Sequence, residues 1–117
     1  MRLNNKVALI SGAAHGIKGN TMGFGGAIAW LFAEEGAKVV LTDIDEESGE
    51  KTASQIRQNG GNAIFIRLNV TLLSAWKDAV RKTVNEFGKL DILVNNAGIP
   101  PVGTIENISE NYWDMQM

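Results

Sequence analysis

Ser11-Gly12-Ala13-Ala14-His15-Gly16-Ile17 is the stretch of this chain best suited to chemistry. It follows a short apolar run, Lys-Val-Ala-Leu-Ile-Ser at residues 6–11, and leads toward an alanine-rich segment that opens at Gly25. A glycine-rich turn between a buried strand and a helix lets backbone N–H groups and the helix N-terminus approach a pyrophosphate. Asp43 closes a second apolar run at residues 38–43. A carboxylate at that place accepts hydrogen bonds from both hydroxyls of an adenosine ribose. Glycines alone suit a plain connector equally well, and it is the strand–helix–strand context that favours the nucleotide reading.

The elements that must position these residues follow from periodicity. Residues 6–11 read as a strand buried on both faces, and Ile28, Leu31 and Phe32 give helical spacing up to a stop at Gly36. Residues 38–43 form a second strand, and a polar surface helix over 46–59, with Ala53 and Ile56 as its thin apolar stripe, ends at Gly60-Gly61. A third strand covers 63–68, and a helix over 74–87 carries Trp76, Ala79, Val80, Val84 and Phe87 before Gly88. Residues 91–95 are the fourth strand. Strands alternating with helices of this length imply parallel pairing and right-handed crossovers, hence an α/β doubly wound sheet of Rossmann type with strand order 3-2-1-4. After Gly98 comes a loop with Pro100 and Pro101, and Ser109 is placed to N-cap a helix carrying Tyr112, Trp113 and Met117. That helix stops about two turns in with no C-terminal glycine, so the whole of 1–117 reads as a single, truncated dinucleotide-binding domain.

Composition narrows the partners. A net charge of −2 leaves no basic stripe for nucleic acid and no polybasic patch for a membrane surface. There is no cysteine and one histidine, which argues against thiolate or multi-histidine metal sites. The start lacks an apolar signal core, and a cytoplasmic location follows by default. The serines have no adjacent His or Lys to activate them, and Glu34-Glu35 and Glu46-Glu47 read as solvated helix faces. Trp76 and Phe87 belong to the core, whereas Trp30 and Trp113 are assigned to exposed surface that further chain or a partner would cover.

Taken together, Ser11-Gly12-x-x-x-Gly16-Ile17, Asp43, Asn69-Val70 and Asn95-Asn96-Ala97-Gly98 resemble the N-terminal half of the short-chain dehydrogenase/reductase family. The resemblance covers nearly the whole chain. It implies an oxidoreductase that transfers hydride between a nicotinamide cofactor and an alcohol or ketone. It also implies that Gly12, His15, Gly16, Ile17 and Gly25 lie on the pyrophosphate and nicotinamide side of the cofactor. Asp43 with Ile44 would hold the adenosine ribose, Asn69 and Val70 the adenine, and Asn95, Ala97 and Gly98 the adjoining ribose. A carboxylate at Asp43 would repel the 2′-phosphate of NADP, so NAD is favoured. The family's NADP users often carry arginine just before the second glycine, where this chain has His15, which reads as a solvent-facing loop residue without a partner.

Three departures from the family pattern stand out. Residues 18–24 are inserted between Ile17 and Gly25, and removing them restores Gly-Ile-Gly-x-Ala-Ile-Ala. The insertion is expected to lift the helix N-terminus away, delay the helix start, or occupy the pocket with Met22 and Phe24. Lys18 with the N–H groups of Gly19 and Gly23 offers a less favoured alternative anion nest. Asn69 replaces an aspartate that contacts the adenine amino group. The family's catalytic serine, Tyr-x-x-x-Lys pair and further asparagine are expected beyond Met117, since Tyr112 is the sole tyrosine and Gln116, not lysine, follows it by four. No catalytic residue is therefore assigned, and the chain alone is expected to show no turnover. Three readings stay open: the NAD-binding half of an oxidoreductase, a non-catalytic nucleotide-binding module, or a folded remnant. The last would self-associate through its open sheet edge or await a C-terminal half.

Overall fold

A computed structural model describes residues 2–17 and 22–96. The four apolar runs form β1 (Val7–Ser11), β2 (Lys38–Asp43), β3 (Asn62–Arg67) and β4 (Ile92–Val94), separated by α1 (Phe24–Glu34), α2 (Glu46–Gln58) and α3 (Leu73–Phe87). All pairings are parallel and the order is β3-β2-β1-β4, as the alternation of strands and helices requires. Central β1 pairs Val7 to Lys38 and Ser11 to Thr42 on one side, and Ala8 to Ile92 and Ile10 to Val94 on the other.

Alternation along each strand sorts side chains between two cores. Val7, Leu9, Val40 and Leu93 pack with Trp76, Ala79 and Val80 of α3. Ile10, Val39, Leu41 and Ala63 pack with Ala29 and Trp30 of α1 and Ala53 and Ile56 of α2. Helices thus cover both faces, which is why β1 needs no polar side and is buried from end to end. Phe87 is half-buried against the α3 core, with the Lys38 ammonium 5.7 Å from its ring centroid.

Trp30 departs from the sequence reading. It is buried, at 6% exposure, because its helix face is that of Gly26 and Ala29, which turns toward the sheet. Of the residues from which the stripe was read, Ile28 and Phe32 do pack at the edge of this core, and Leu31 is the exposed one at 54%.

At the N-terminal ends of the strands the sheet is tied by its own polar groups. The Val7 N–H donates to Asp91 Oδ2 at 2.9 Å, and Lys89 Nζ lies 3.1 Å from the same oxygen. Partial burial pushes the Asp91 carboxyl up, but the Val7 hydrogen bond and the Lys89 and Lys6 ammoniums outweigh it and hold the group below its ordinary value. Among the described residues no helix is long and apolar enough to cross a membrane.

Candidate functional site

At the opposite, C-terminal ends of the strands the chain leaves β1 at Ser11 and turns at Gly12, whose φ of 65° lies in the left-handed region. The Ala13 N–H then donates to Thr42 O at 3.1 Å and the Ala14 N–H to Asp43 Oδ2 at 3.1 Å, laying the turn across the end of β2. The first turn of α1 abuts this loop so closely that side chains are excluded. A Cβ on Gly25 would stand 2.4 Å from Gly12 O, and one on Gly26 would stand 2.5 Å from His15 O. α1 opens with neither a side-chain cap nor an acidic residue in its first turn. Its N-terminal N–H groups and the positive end of its dipole therefore lie beside a side-chain-poor loop, the arrangement that suits an anion.

The residues proposed for the adenosine end come together as well. Asp43, Ile44, Leu68, Asn69 and Val70 line one cavity of about 160 Å³. Ile44 is 57% exposed, a flat apolar surface beside the Asp43 carboxylate. That carboxylate already accepts from Ala14 through Oδ2 and from the Asp45 N–H through Oδ1 at 3.1 Å. Each oxygen keeps further lone-pair capacity, so both remain able to accept. Asn69 Oδ1 accepts from the Thr71 N–H at 3.0 Å and the Thr71 hydroxyl at 2.6 Å in a local turn.

β4 joins the site through its C-terminal end. The Ser11 hydroxyl donates to Asn95 Oδ1 at 3.0 Å and accepts from the Asn96 N–H at 2.9 Å, while Asn96 Nδ2 donates to Gly12 O at 3.3 Å. The two asparagines thus brace the glycine turn from the neighbouring strand. Ala97 and Gly98, like the helix expected from Ser109 with Tyr112, Trp113 and Gln116, lie outside the described residues.

The insertion behaves differently from two of the expectations stated for it. α1 starts at Phe24, so the helix is not delayed, and the contacts of Gly25 and Gly26 with Gly12, His15 and Gly16 show that its N-terminus is not lifted away. The Gly23 N–H donates to His15 O at 2.6 Å, closing the excursion at its base and removing Gly23 from the suggested anion nest; Lys18 and Gly19 lie outside the described residues. Met22 packs at the edge of the α1–α2 core, and Phe24 is 75% exposed. His15 faces solvent, as read from the sequence, but it has a neighbour: Nε2 lies 3.8 Å from Asp45 Oδ2.

Several supporting residues escaped sequence reasoning. Buried Thr52 of α2 donates its hydroxyl to Ala14 O at 2.6 Å and accepts from the Gly16 N–H at 3.2 Å. The Trp30 indole N–H donates to Gly16 O. Gly26 completes the group, and it carried a readable signal, a second glycine at a helix start; Ser11 and Asn96 stand inside the motifs read from the sequence but were given no role of their own there. No group of three or more His, Cys, Asp or Glu that could hold a metal ion stands together among the described residues.

Comparison with known proteins agrees with this fold. The chain is 48% identical to an uncharacterized oxidoreductase of Thermotoga maritima, with all of this chain and 43% of that protein aligned. It is 45% identical to a 2,5-dichloro-2,5-cyclohexadiene-1,4-diol dehydrogenase of Sphingobium indicum, over 97% of this chain and 42% of the relative. The structure superposes on the crystal structure of a hydroxysteroid dehydrogenase from Escherichia coli with a TM-score of 0.73 and 38% identity, covering 83% of this chain and 37% of the other. The chain therefore spans well under half the length of these proteins. A family profile described as short chain dehydrogenase matches residues 6–117. With that profile spanning nearly all of its length, and with its parallel sheet, glycine turn and strand-end carboxylate, the chain belongs to the short-chain dehydrogenase family.

Proposed function

We propose that residues 1–117 form the dinucleotide-binding part of an oxidoreductase and take NAD in preference to NADP. The observation that carries this is the placement of the Asp43 carboxylate in the same cavity as Ile44, Asn69 and Val70, next to a loop that Gly25 and Gly26 of α1 approach too closely to bear side chains. The pieces fit the group. The open N-terminus of α1 would hold the pyrophosphate, Asp43 would accept from the ribose hydroxyls, and Ile44 and Val70 would pack on the adenine. A 2′-phosphate would meet the Asp43 charge directly, with Asp45 close behind. Asn95, Ala97 and Gly98 extend the site toward the second ribose. When bound, the nicotinamide supplies hydride exchange with a carbinol or ketone; this chain's own residues bind and orient it. In this reading the groups that act on the substrate come from outside residues 1–117, and the protein works in the cytoplasm.

The test is calorimetric titration of the 117-residue chain with NAD and with NADP, repeated with Asp43→Ala. Saturable NAD binding that the substitution weakens, and weaker NADP binding that it improves relative to NAD, is the expected outcome. A folded chain that binds neither would overturn the proposal. β4 is hydrogen-bonded on one side only among the described residues. The proposal extends to self-association through that edge, which sedimentation in the micromolar range would show as species larger than a monomer.

A further inference from the structure

The loop from Gly12 to Ile17 has no side chain of its own to hold its far half, since Ala13 and Ala14 carry no polar side-chain atoms and His15 points to solvent. Yet both backbone groups of Gly16 are engaged, and by side chains from two helices. The Gly16 N–H is shared between Ala14 O at 3.1 Å and Thr52 Oγ1 at 3.2 Å, and the Thr52 hydroxyl hydrogen goes to Ala14 O at 2.6 Å. A hydroxyl is one donor and two acceptors, so Thr52 spans the loop as a rung between residues 14 and 16. Its methyl group fills the space where a Gly16 Cβ would stand, at 2.8 Å. From the other helix the Trp30 indole N–H takes the Gly16 carbonyl. Gly26, one turn before Trp30, has no side chain and lets Gly16 approach α1 closely.

We infer that Thr52 and Trp30 are positioning residues that set the loop in its anion-accepting shape before any ligand arrives, with Gly16 acting as their anchor and not as a phosphate donor. The Gly16 N–H is turned inward to Thr52, so the donors to an anion are those of the α1 first turn. This rests on the dinucleotide-binding reading. Neither side chain reaches the ligand, and both act through the peptide groups of Ala14 and Gly16. A loop held this way has less freedom to lose on binding, and affinity rises for that reason.

The experiment pairs amide hydrogen exchange, residue by residue, with NAD calorimetry on the 117-residue chain and on Thr52→Val, Thr52→Ser and Trp30→Phe. Thr52→Val keeps the shape and deletes the hydroxyl. It is expected to speed exchange at the Gly16 N–H about tenfold, leave the Val40 N–H of the central sheet unchanged, and weaken NAD binding about tenfold, the scale of one buried hydrogen bond left unmade. Thr52→Ser restores both readouts, and Trp30→Phe weakens binding by about fivefold. Gly16 exchange at the wild-type rate in Thr52→Val overturns the inference, as does equal acceleration at Gly16 and Val40, which marks general loosening. Should Thr52→Val not fold, Trp30→Phe against Thr52→Ser decides by the same two readouts. If the wild-type chain does not bind NAD, the dinucleotide reading falls, while the exchange rates still decide whether these side chains hold the loop.

Discussion

Two aspartates stand at opposite ends of the sheet and make the same first contact. Asp43, at the end of β2, takes the Ala14 N–H, and Asp91, ahead of β4, takes the Val7 N–H. They differ in what surrounds the remaining lone pairs. Asp91 has the Lys89 ammonium 3.1 Å away, and the backbone bonds Lys38 N–H to Lys6 O and Asp91 N–H to Val7 O close the strand ends around it. Asp43 has only a second backbone donor, from Asp45, and opens onto a cavity lined by Ile44, Leu68, Asn69 and Val70. One end is satisfied by its own cation, and the other leaves a carboxylate facing unfilled space. The comparison teaches that a strand-end carboxylate is a brace where the protein uses its whole capacity, and keeps capacity for a further donor where it does not.

The sharpest way to break the contrast is to spoil the open end sterically. Gly25→Ala places a Cβ where Gly12 O stands 2.4 Å away, and backbone on both sides must move. NAD affinity is expected to fall about a hundredfold, the upper range for forced overpacking, and calorimetry with circular dichroism separates this from unfolding. Asp43→Ala comes next, with affinity lower by about thirtyfold. It also lowers stability by about 1–2 kcal/mol through the orphaned Ala14 and Asp45 N–H groups, read from urea midpoints.

Asp91→Asn should do the reverse, leaving NAD affinity within about twofold and lowering stability at neutral pH by about 1–2 kcal/mol. The sign follows from the depressed folded-state value of Asp91. Its contribution is fully present above the unfolded value of about 3.9 and is lost as pH falls through the lower folded value. The variant's stability should therefore depend less on pH in that acid range than wild type, and an equal slope in denaturant titrations across it would count against the role assigned to Asp91. The smallest effect belongs to His15→Ala. The pair with Asp45 is separated by 3.8 Å and largely solvated, so stability should change by less than about 0.5 kcal/mol in thermal melts.

Much of the architecture was legible because it depends on pattern. Apolar runs of five or six residues, each followed by a helical stripe, define β1 to β3 and their helices, and observed ends fall within a residue or two of those read from periodicity. The parallel order follows from the crossovers. Of the residues expected at the site, Gly12 and Asp43 were legible because a backbone turn and a strand-end charge leave marks in residue type, whereas Ile44 and Val70, which share a cavity with Asp43, came only from the family resemblance. Trp30 was misplaced because a short alanine-rich helix has apolar residues all round it, and its buried face is chosen by the glycines that let it approach the loop.

What the residues alone determined was a Rossmann-type sheet with a glycine turn and a carboxylate at its C-terminal edge, since these depend on short-range spacing and the twofold and 3.6-fold periods. What tertiary structure decided was how the turn is held. Thr52 lies 36 positions from Gly16, and Asn96 lies 84 from Gly12. Hydrogen bonds across such separations depend on which helix packs against which strand end, and a residue's type reveals nothing of that until the chain has folded.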